Sequence, residues 1–171
     1  MPTLNLGCGV KRREDAVNLD ISREVGADVV HDLNVVPWPF PDGTFDNVYA
    51  FDVLEHVDDV VKTLEELHRV SRAAACVHIT VPHFSSANAL TDVTHRHWFG
   101  WNSFAPFTTE HELNHYSGVR FRRRTTRISF YRSILNRVVF RLANRFPERY
   151  EQRWAWAFPA WFIYYELEVL K

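Results

Sequence analysis

Apolar residues fall in short runs along this chain, and most of the runs stop on a glycine, an acid or a proline. "TLNLGC" at 3–8 is apolar almost throughout and ends in glycine, which predicts a buried strand. "AVNLDIS" predicts a second strand ending at Asp20, and "DVVHDLN" a third ending at Asp32. "FDNVYAF" is a fourth, launched from "FPDGTF", where Pro41, Asp42 and Gly43 have turn chemistry. Val60, Val61, Leu64, Leu67 and Val70 then recur at helical spacing behind an acidic cap, Asp58 or Asp59. "ACVHITVP" is a fifth strand, rich in β-branched residues and stopped by Pro82. "TTEHELNHY" opens on a threonine cap and predicts a short helix. "VRFRRRTTRISF" alternates over much of its length and predicts an exposed or edge strand, and "FIYYELEVL" predicts the last strand. Between those two, residues 132–160 are helical in pattern and loaded with Arg, Phe and Trp. The strand–helix–strand alternation favours a parallel sheet covered on its faces. With no repeat, low-complexity tract or linker, the chain reads as one domain, 1–171, with a helical insertion at about 132–160.

Composition narrows the class. A chain of 171 residues can bury a real core, and 46% hydrophobic with 24% charged residues excludes disorder over most of it. Cys8 and Cys76, the two cysteines, each sit in an apolar run. They read as buried thiols in a reducing compartment, which sets a cytoplasmic expectation. The N-terminus has no basic stretch and cleavage site of a signal peptide, and no apolar stretch reaches 18 residues. The net charge of −1 conceals an asymmetry. Residues 1–59 carry twelve acids against Lys11, Arg12, Arg13 and Arg23, which suits a cationic or hydroxyl-rich ligand. Residues 118–149 carry ten arginines against Glu148 alone, which suits an anion, although a solvated face explains the same pattern.

In open α/β sheets, ligands bind beyond the carboxyl ends of the strands. Gly7 and Gly9, Asp20, Asp32, Phe51 and Asp52, and His83 all fall at such ends. Glycines let the backbone approach a ligand. A carboxylate at the end of strand two is placed to accept both hydroxyls of a ribose. A second acid, after strand three, is placed to accept from an exocyclic amine. A dinucleotide fits poorly: the third glycine of its fingerprint is replaced by Arg12, and the acid comes eleven residues after Gly9 instead of about twenty.

"LNLGCG", "NLDIS", "HDLN", "FPDGTFDNVYAFDVLEHVDD", "LEELHRVSR" and "VHITVPHFSS" resemble, in order, the motifs of class I S-adenosylmethionine-dependent methyltransferases of the type 11 branch, over residues 3–86. The resemblance implies a Rossmann-like seven-stranded α/β sheet, parallel except for an antiparallel last strand, with helices on both faces. It implies S-adenosyl-L-methionine as cofactor. Gly7, Cys8 and Gly9 are then expected under the methionine part, Asp20 at the ribose, Asp32 and Leu33 at the adenine, and Phe51 and Asp52 at the methionine end. Asn5 stands where the family usually has an acid. Glu55 and His56 belong to the matched motif, and for His56 a structural role ranks above a chemical one. The ten residues between Gly9 and Asp20 leave no room for the family's first helix, which must become a turn or the loop "VKRREDA". The turn before strand five, "SRAAA", lacks its usual glycine, and the helices that precede strand one in the family are missing.

Function thus divides between methyl transfer to a small-molecule or glycan acceptor and a catalytically silent subunit that keeps the fold as a binding partner. His83, Asp92, His95 and His97 lie within fifteen residues on the expected acceptor rim. Three uses stay open: a histidine as general base, a metal site, or loop ordering. His83, His95 and His97 are carried forward as the catalytic candidates, and no metal is expected on them. Arg96, Trp98 and Trp101 are candidates for shaping the acceptor pocket. In 132–160, Ile134, Leu135, Val138, Val139, Leu142 and Phe146 form one broad face and Arg137, Arg141 and Arg145 another. Packing on the sheet or against a second copy ranks first for this segment, a lid over the acceptor second, a membrane surface third. No nucleic-acid-binding motif is present.

Overall fold

The computed structural model describes residues 1–109, 117–131 and 134–171, with backbone alone for 134 and 135. Seven strands form one sheet: β1 (Thr3–Leu6), β2 (Val17–Asp20), β3 (Val29–Val30), β4 (Phe45–Phe51), β5 (Ser71–Pro82), β6 (Arg120–Ile128) and β7 (Phe162–Leu170). Their order is β3-β2-β1-β4-β5-β7-β6. Strands β1 to β5 pair in parallel, and β7 lies antiparallel between β5 and β6. The arginine-rich strand is therefore the sheet edge, where its exposed side chains discourage further pairing. The order reverses between β1 and β4, which opens a crevice at their carboxyl ends.

One helix, α1 (Val60–Val70), connects β4 to β5. Asp59 caps it by accepting the Lys62 N–H at 3.1 Å. Its buried Leu64, Leu67 and Val70 join Val48 and Ala50 of β4 and Val77 and Ile79 of β5 in the core. Each leucine buried in this way contributes about 1.5–3 kcal/mol. The carboxylate of Glu66, also buried, accepts the Trp38 N–H at 2.5 Å and pairs with Arg69, which ties the 31–44 connection to α1.

The connections β1–β2, β2–β3 and β3–β4 contain no α-helix. The short Gly9–Asp20 spacing thus resolves as a loop, as its length requires. Asn18 holds that loop: its Oδ1 accepts the Arg13 N–H at 2.8 Å, and its Nδ2 donates to the Arg13 carbonyl at 2.9 Å. Strand alternation turns Tyr49, His78 and Tyr164 away from the core onto the sheet's other face. There Tyr49 stacks on His78 (4.6 Å), His78 faces Tyr164 (6.2 Å), and the Arg13 guanidinium sits 4.1 Å over Tyr49.

The segment after β6 forms α3 (Ile134–Arg145) and α4 (Pro147–Arg153), then turns into β7. It packs at the carboxyl edge of the sheet. Asn144 pairs through its amide with both backbone groups of Ile128 (2.8 and 2.9 Å), and the Ala160 N–H donates to Ser85 Oγ at 3.1 Å. Only part of the apolar face expected on α3 is covered. Ala143 is buried, whereas Val138, Leu142 and Phe146 remain 56%, 58% and 47% exposed. These three line an apolar cavity of about 450 Å³ with Trp154 and Phe158. The side chains of Ile134 and Leu135 lie outside the described residues, as do 110–116, most of the expected short helix. Between α1 and β6 the described chain adds α2 (Asn88–Thr91) and a 3₁₀ turn at Ala105–Phe107. No helix among the described residues is long and apolar enough to cross a membrane.

Candidate functional site

Two cavities meet at the carboxyl ends of β1, β2 and β4, sharing Gly7 and Asp52 in their walls. The first, about 310 Å³, is lined by Asp20, Ile21, His31, Asp32, Leu33, Asn34, Val53, His56 and Val57 among others. The second, about 440 Å³, lies between the 8–13 loop and Phe51, with Asn5 at its base.

Gly7 answers to two constraints. Its φ is +55°, and an added Cβ would fall 2.5 Å from Val53 Cγ2. Gly9 has φ +46° but open space around it. Gly7→Ala is therefore expected to cost about 2–4 kcal/mol, from the left-handed backbone plus overpacking. Gly9→Ala is expected to cost only the backbone share, about 1–2 kcal/mol. Urea denaturation of the two variants checks the difference.

Asp20 is held by backbone. Its Oδ2 accepts the Gly9 N–H at 2.8 Å and its Oδ1 the Ser22 N–H at 2.9 Å. Each oxygen keeps a lone pair, so the carboxylate faces the cavity aimed and still able to accept two hydroxyls. Asp32 spends Oδ1 on the Asn34 N–H at 2.9 Å, and its other oxygen has no such bond. Leu33 lines the same wall, and its carbonyl accepts from the Trp38 indole at 3.1 Å. Asp52 stands at φ +60°, a left-handed conformation uncommon outside glycine. Its N–H donates to the Thr80 carbonyl (2.9 Å), and its Oδ1 accepts the Thr80 hydroxyl (3.1 Å). Lys11 reaches Asp52 Oδ2 at 3.3 Å across the mouth of the second cavity.

Other expected residues contribute less directly. Cys8 is buried, its N–H is used by the Leu19 carbonyl at 3.1 Å, and burial first, then Asp20, pushes its thiol pKa up. It serves as backbone. Asn5 is buried with its amide donating to Asn18 Oδ1 (3.0 Å) and to the Lys11 carbonyl (3.2 Å), so it braces the loop beneath the cavity. Phe51 lines the second cavity, 5.4 Å from the Tyr49 ring.

The histidines separate. His83 is fully buried, with Nδ1 on Ser85 Oγ (2.9 Å) and Nε2 on Glu151 (3.1 Å); it lines neither cavity. His97 binds the Val57 carbonyl through Nε2 at 2.8 Å, which anchors its loop. Only His95 approaches the cleft, with its ring 4.7 Å from that of His56. His56 itself lines the first cavity, and burial first, then His95, lowers its pKa. Arg96 is a strap, pairing with Asp58 and donating its N–H to the Glu55 carbonyl at 2.7 Å. The Trp101 N–H is bound to Glu151 at 2.5 Å, and Trp98 is 57% exposed. Ile21, His31, Val53 and Val57 also join the wall; they lie within the matched segments but were not singled out as site residues. Ile21, 67% exposed directly after Asp20, was the one open to detection, as an apolar residue beside a ligand-facing acid.

A parallel five-strand core extended by an antiparallel β7, with glycines ending β1 and an acid ending β2, is the class I S-adenosylmethionine-dependent methyltransferase fold. Residues 4–77 match the family model of the methyltransferase domain. Among solved structures, a S-adenosylmethionine-dependent methyltransferase from Archaeoglobus fulgidus is similar with a TM-score of 0.65 at 18% identity, over 98% of this chain and 85% of that one. A S-adenosylmethionine-dependent methyltransferase from Mesorhizobium loti gives 0.60 at 16%, over 98% and 90%. The [4+2]-cyclase SpnF gives 0.62 at 15%, over 99% and 74%. No curated protein matches the chain. The solved structures similar to this chain include S-adenosylmethionine-dependent enzymes, and the residues present here fit that cofactor: a side-chain-free turn at Gly7, a carboxylate at Asp20 with a lone pair left on each oxygen, and a flanking acid at Asp32.

Proposed function

We propose that the protein transfers a methyl group from S-adenosylmethionine to a small-molecule or glycan acceptor. The observation that carries the reading is the meeting of the two cavities at Gly7 and Asp52, with the aimed Asp20 carboxylate in the wall of one of them. The cofactor, when bound, supplies an electrophilic methyl on a sulfonium. Asp20 takes the ribose hydroxyls, Asp32 accepts from the adenine amine, and Ile21 and Leu33 offer apolar contact to its ring. Lys11 meets the methionine carboxylate across the second cavity. Asp52 lies at the junction, where a carboxylate favours a nearby cation. In-line displacement gains most from such positioning and needs little acid–base help.

The acceptor reading draws on a third cavity of about 590 Å³, beyond the end of β5, lined by Ser85, Ser86, Leu90, Tyr131 and residues 157–160. Tyr131 stacks on Trp161 at 4.3 Å and is 53% exposed, a platform of the kind a sugar ring covers. Segment 134–160 supplies one wall of this space through Asn136 and residues 157–160. Tyr131→Ala is expected to raise the acceptor KM by about tenfold, the loss of one stacking contact, and to leave cofactor affinity unchanged.

Methyl-labelled S-adenosylmethionine incubated with sugar, nucleotide-sugar and small-metabolite fractions tests the proposal: label transfer supports it. Tight cofactor binding with no transfer to any fraction favours the silent-subunit reading, to which the similarity with a cyclase lends a precedent for other uses of the fold. The uncovered apolar patch on α3 also fits a homodimer contact. Fluorescence of Trp154 and Trp156 is then expected to change with protein concentration and to ignore anionic liposomes; the reverse response marks the patch as a membrane contact.

A further inference from the structure

The loop that carries His95 folds back over the end of β4 and places His95 beside Glu55 and His56. One ligand atom from each of the three lies within 4.8 Å of the others. Glu55 is 1% exposed, and its Oε2 has no hydrogen-bond partner. A buried carboxylate with an idle oxygen is uncommon, because its desolvation is uncompensated.

The two imidazoles are set in matching tautomers. Thr94 donates its hydroxyl hydrogen to Asp92 Oδ1 at 2.7 Å, so its oxygen must accept from His56 Nδ1 at 2.9 Å. His95 Nδ1 faces the Ala89 carbonyl at 3.4 Å and can only donate to it. Both rings therefore carry the proton on Nδ1 and hold a lone pair on Nε2. Nδ1–H bonds to backbone or to a carboxylate-linked group are the outer support that metal-ligating histidines use. His83 and His97 differ in this respect, since their Nε2 atoms are spent on Glu151 and on the Val57 carbonyl.

We propose that Glu55, His56 and His95 form a binding site for one divalent transition-metal ion of the zinc class. Two imidazole nitrogens and one carboxylate are a donor set that such ions accept, with a position left open. Bonds of about 2.0–2.1 Å in tetrahedral geometry need the ligand atoms roughly 3.3 Å apart, a closure of about 1.5 Å from the 4.8 Å limit. A dication compensates the buried Glu55 carboxylate, whose pKa burial otherwise pushes up to about 8. Asp92 Oδ2, 3.9 Å from His95 Nε2, adds a nearby negative charge. His56 also lines the first cavity, whose wall includes Asp52. The site differs from the histidine trio weighed on the sequence: His83 and His97 spend their Nε2 atoms on Glu151 and on the Val57 carbonyl, and His95 alone of the three stands beside Glu55 and His56.

The test uses the full chain, stripped with a chelator, dialysed and titrated with Co²⁺ and Zn²⁺. One equivalent of Co²⁺ is expected to give visible d–d absorption that Zn²⁺ displaces. Binding is expected to weaken at least a hundredfold in Glu55→Gln and in the His56→Ala/His95→Ala double variant, and to persist in His97→Gln. Circular dichroism of each variant separates lost ligands from lost fold. No absorption and no stoichiometric binding by the wild-type chain overturns the site, as does undiminished binding in a folded double variant. The readout is independent of cofactor and turnover, so failure of the site and failure of the methyl-transfer reading are told apart.

Discussion

Replacing Asp20 by alanine is expected to weaken S-adenosylmethionine binding about a hundredfold while the protein stays folded. Two charge-assisted hydrogen bonds to the ribose are lost, each worth at least about 1.5 kcal/mol. The Gly9 and Ser22 N–H groups that Asp20 accepts today lie at the part-buried rim, where water replaces the carboxylate, so stability falls much less than affinity. Asp20→Asn is expected to fall between the two, since it keeps an acceptor oxygen and loses the charge. Calorimetric titration beside a thermal melt separates the effects; unchanged affinity in a folded Asp20→Ala protein removes Asp20 from the site.

Glu151→Ala is expected to do the opposite. Glu151 accepts the Trp101 N–H at 2.5 Å and pairs with His83 Nε2 at 3.1 Å, joining α4 to the end of β5 and to the 97–104 loop. Truncation strands a fully buried imidazole and a backbone donor at once. Each stranded group costs about 1–3 kcal/mol, so a total near 3 kcal/mol is expected in chemical denaturation. Cofactor affinity of the folded fraction is expected to stay within about threefold, because neither cofactor cavity includes Glu151 or His83. A large loss of affinity with little loss of stability would return His83 to the reacting centre.

The contrast between Asp20 and His83 shows what local sequence can reveal. Strand ends are legible because parallel, doubly buried strands read as unbroken apolar runs, and a glycine or acid at the end of such a run has few purposes other than turning or meeting a ligand. The loop replacing the first helix was equally legible, since ten residues cannot hold both helix and turns. Two of the three candidate histidines, His83 and His97, have their Nε2 atoms engaged outside the two cofactor cavities, and residue type does not say what each ring nitrogen meets. His83 is consumed by Ser85 and by Glu151, sixty-eight residues away. Glu55 was visible as part of a motif, but its burial and idle oxygen depend on a loop forty residues later. On α3 the apolar stripe predicted a packed face; the covered part is narrower, because Asn144 and Ala143 fix the helix to the end of β6 with Val138 and Leu142 turned outward.

The most direct test of the central claim is a crystal structure of the protein soaked with S-adenosylhomocysteine, the demethylated product. The account predicts the ribose hydroxyls on Asp20, the adenine between Ile21 and Leu33 with its amine toward Asp32, and the sulfur over Gly7 close to Asp52. Density for the ligand anywhere outside these two joined cavities, or a cleft that stays empty at saturating ligand, would contradict it.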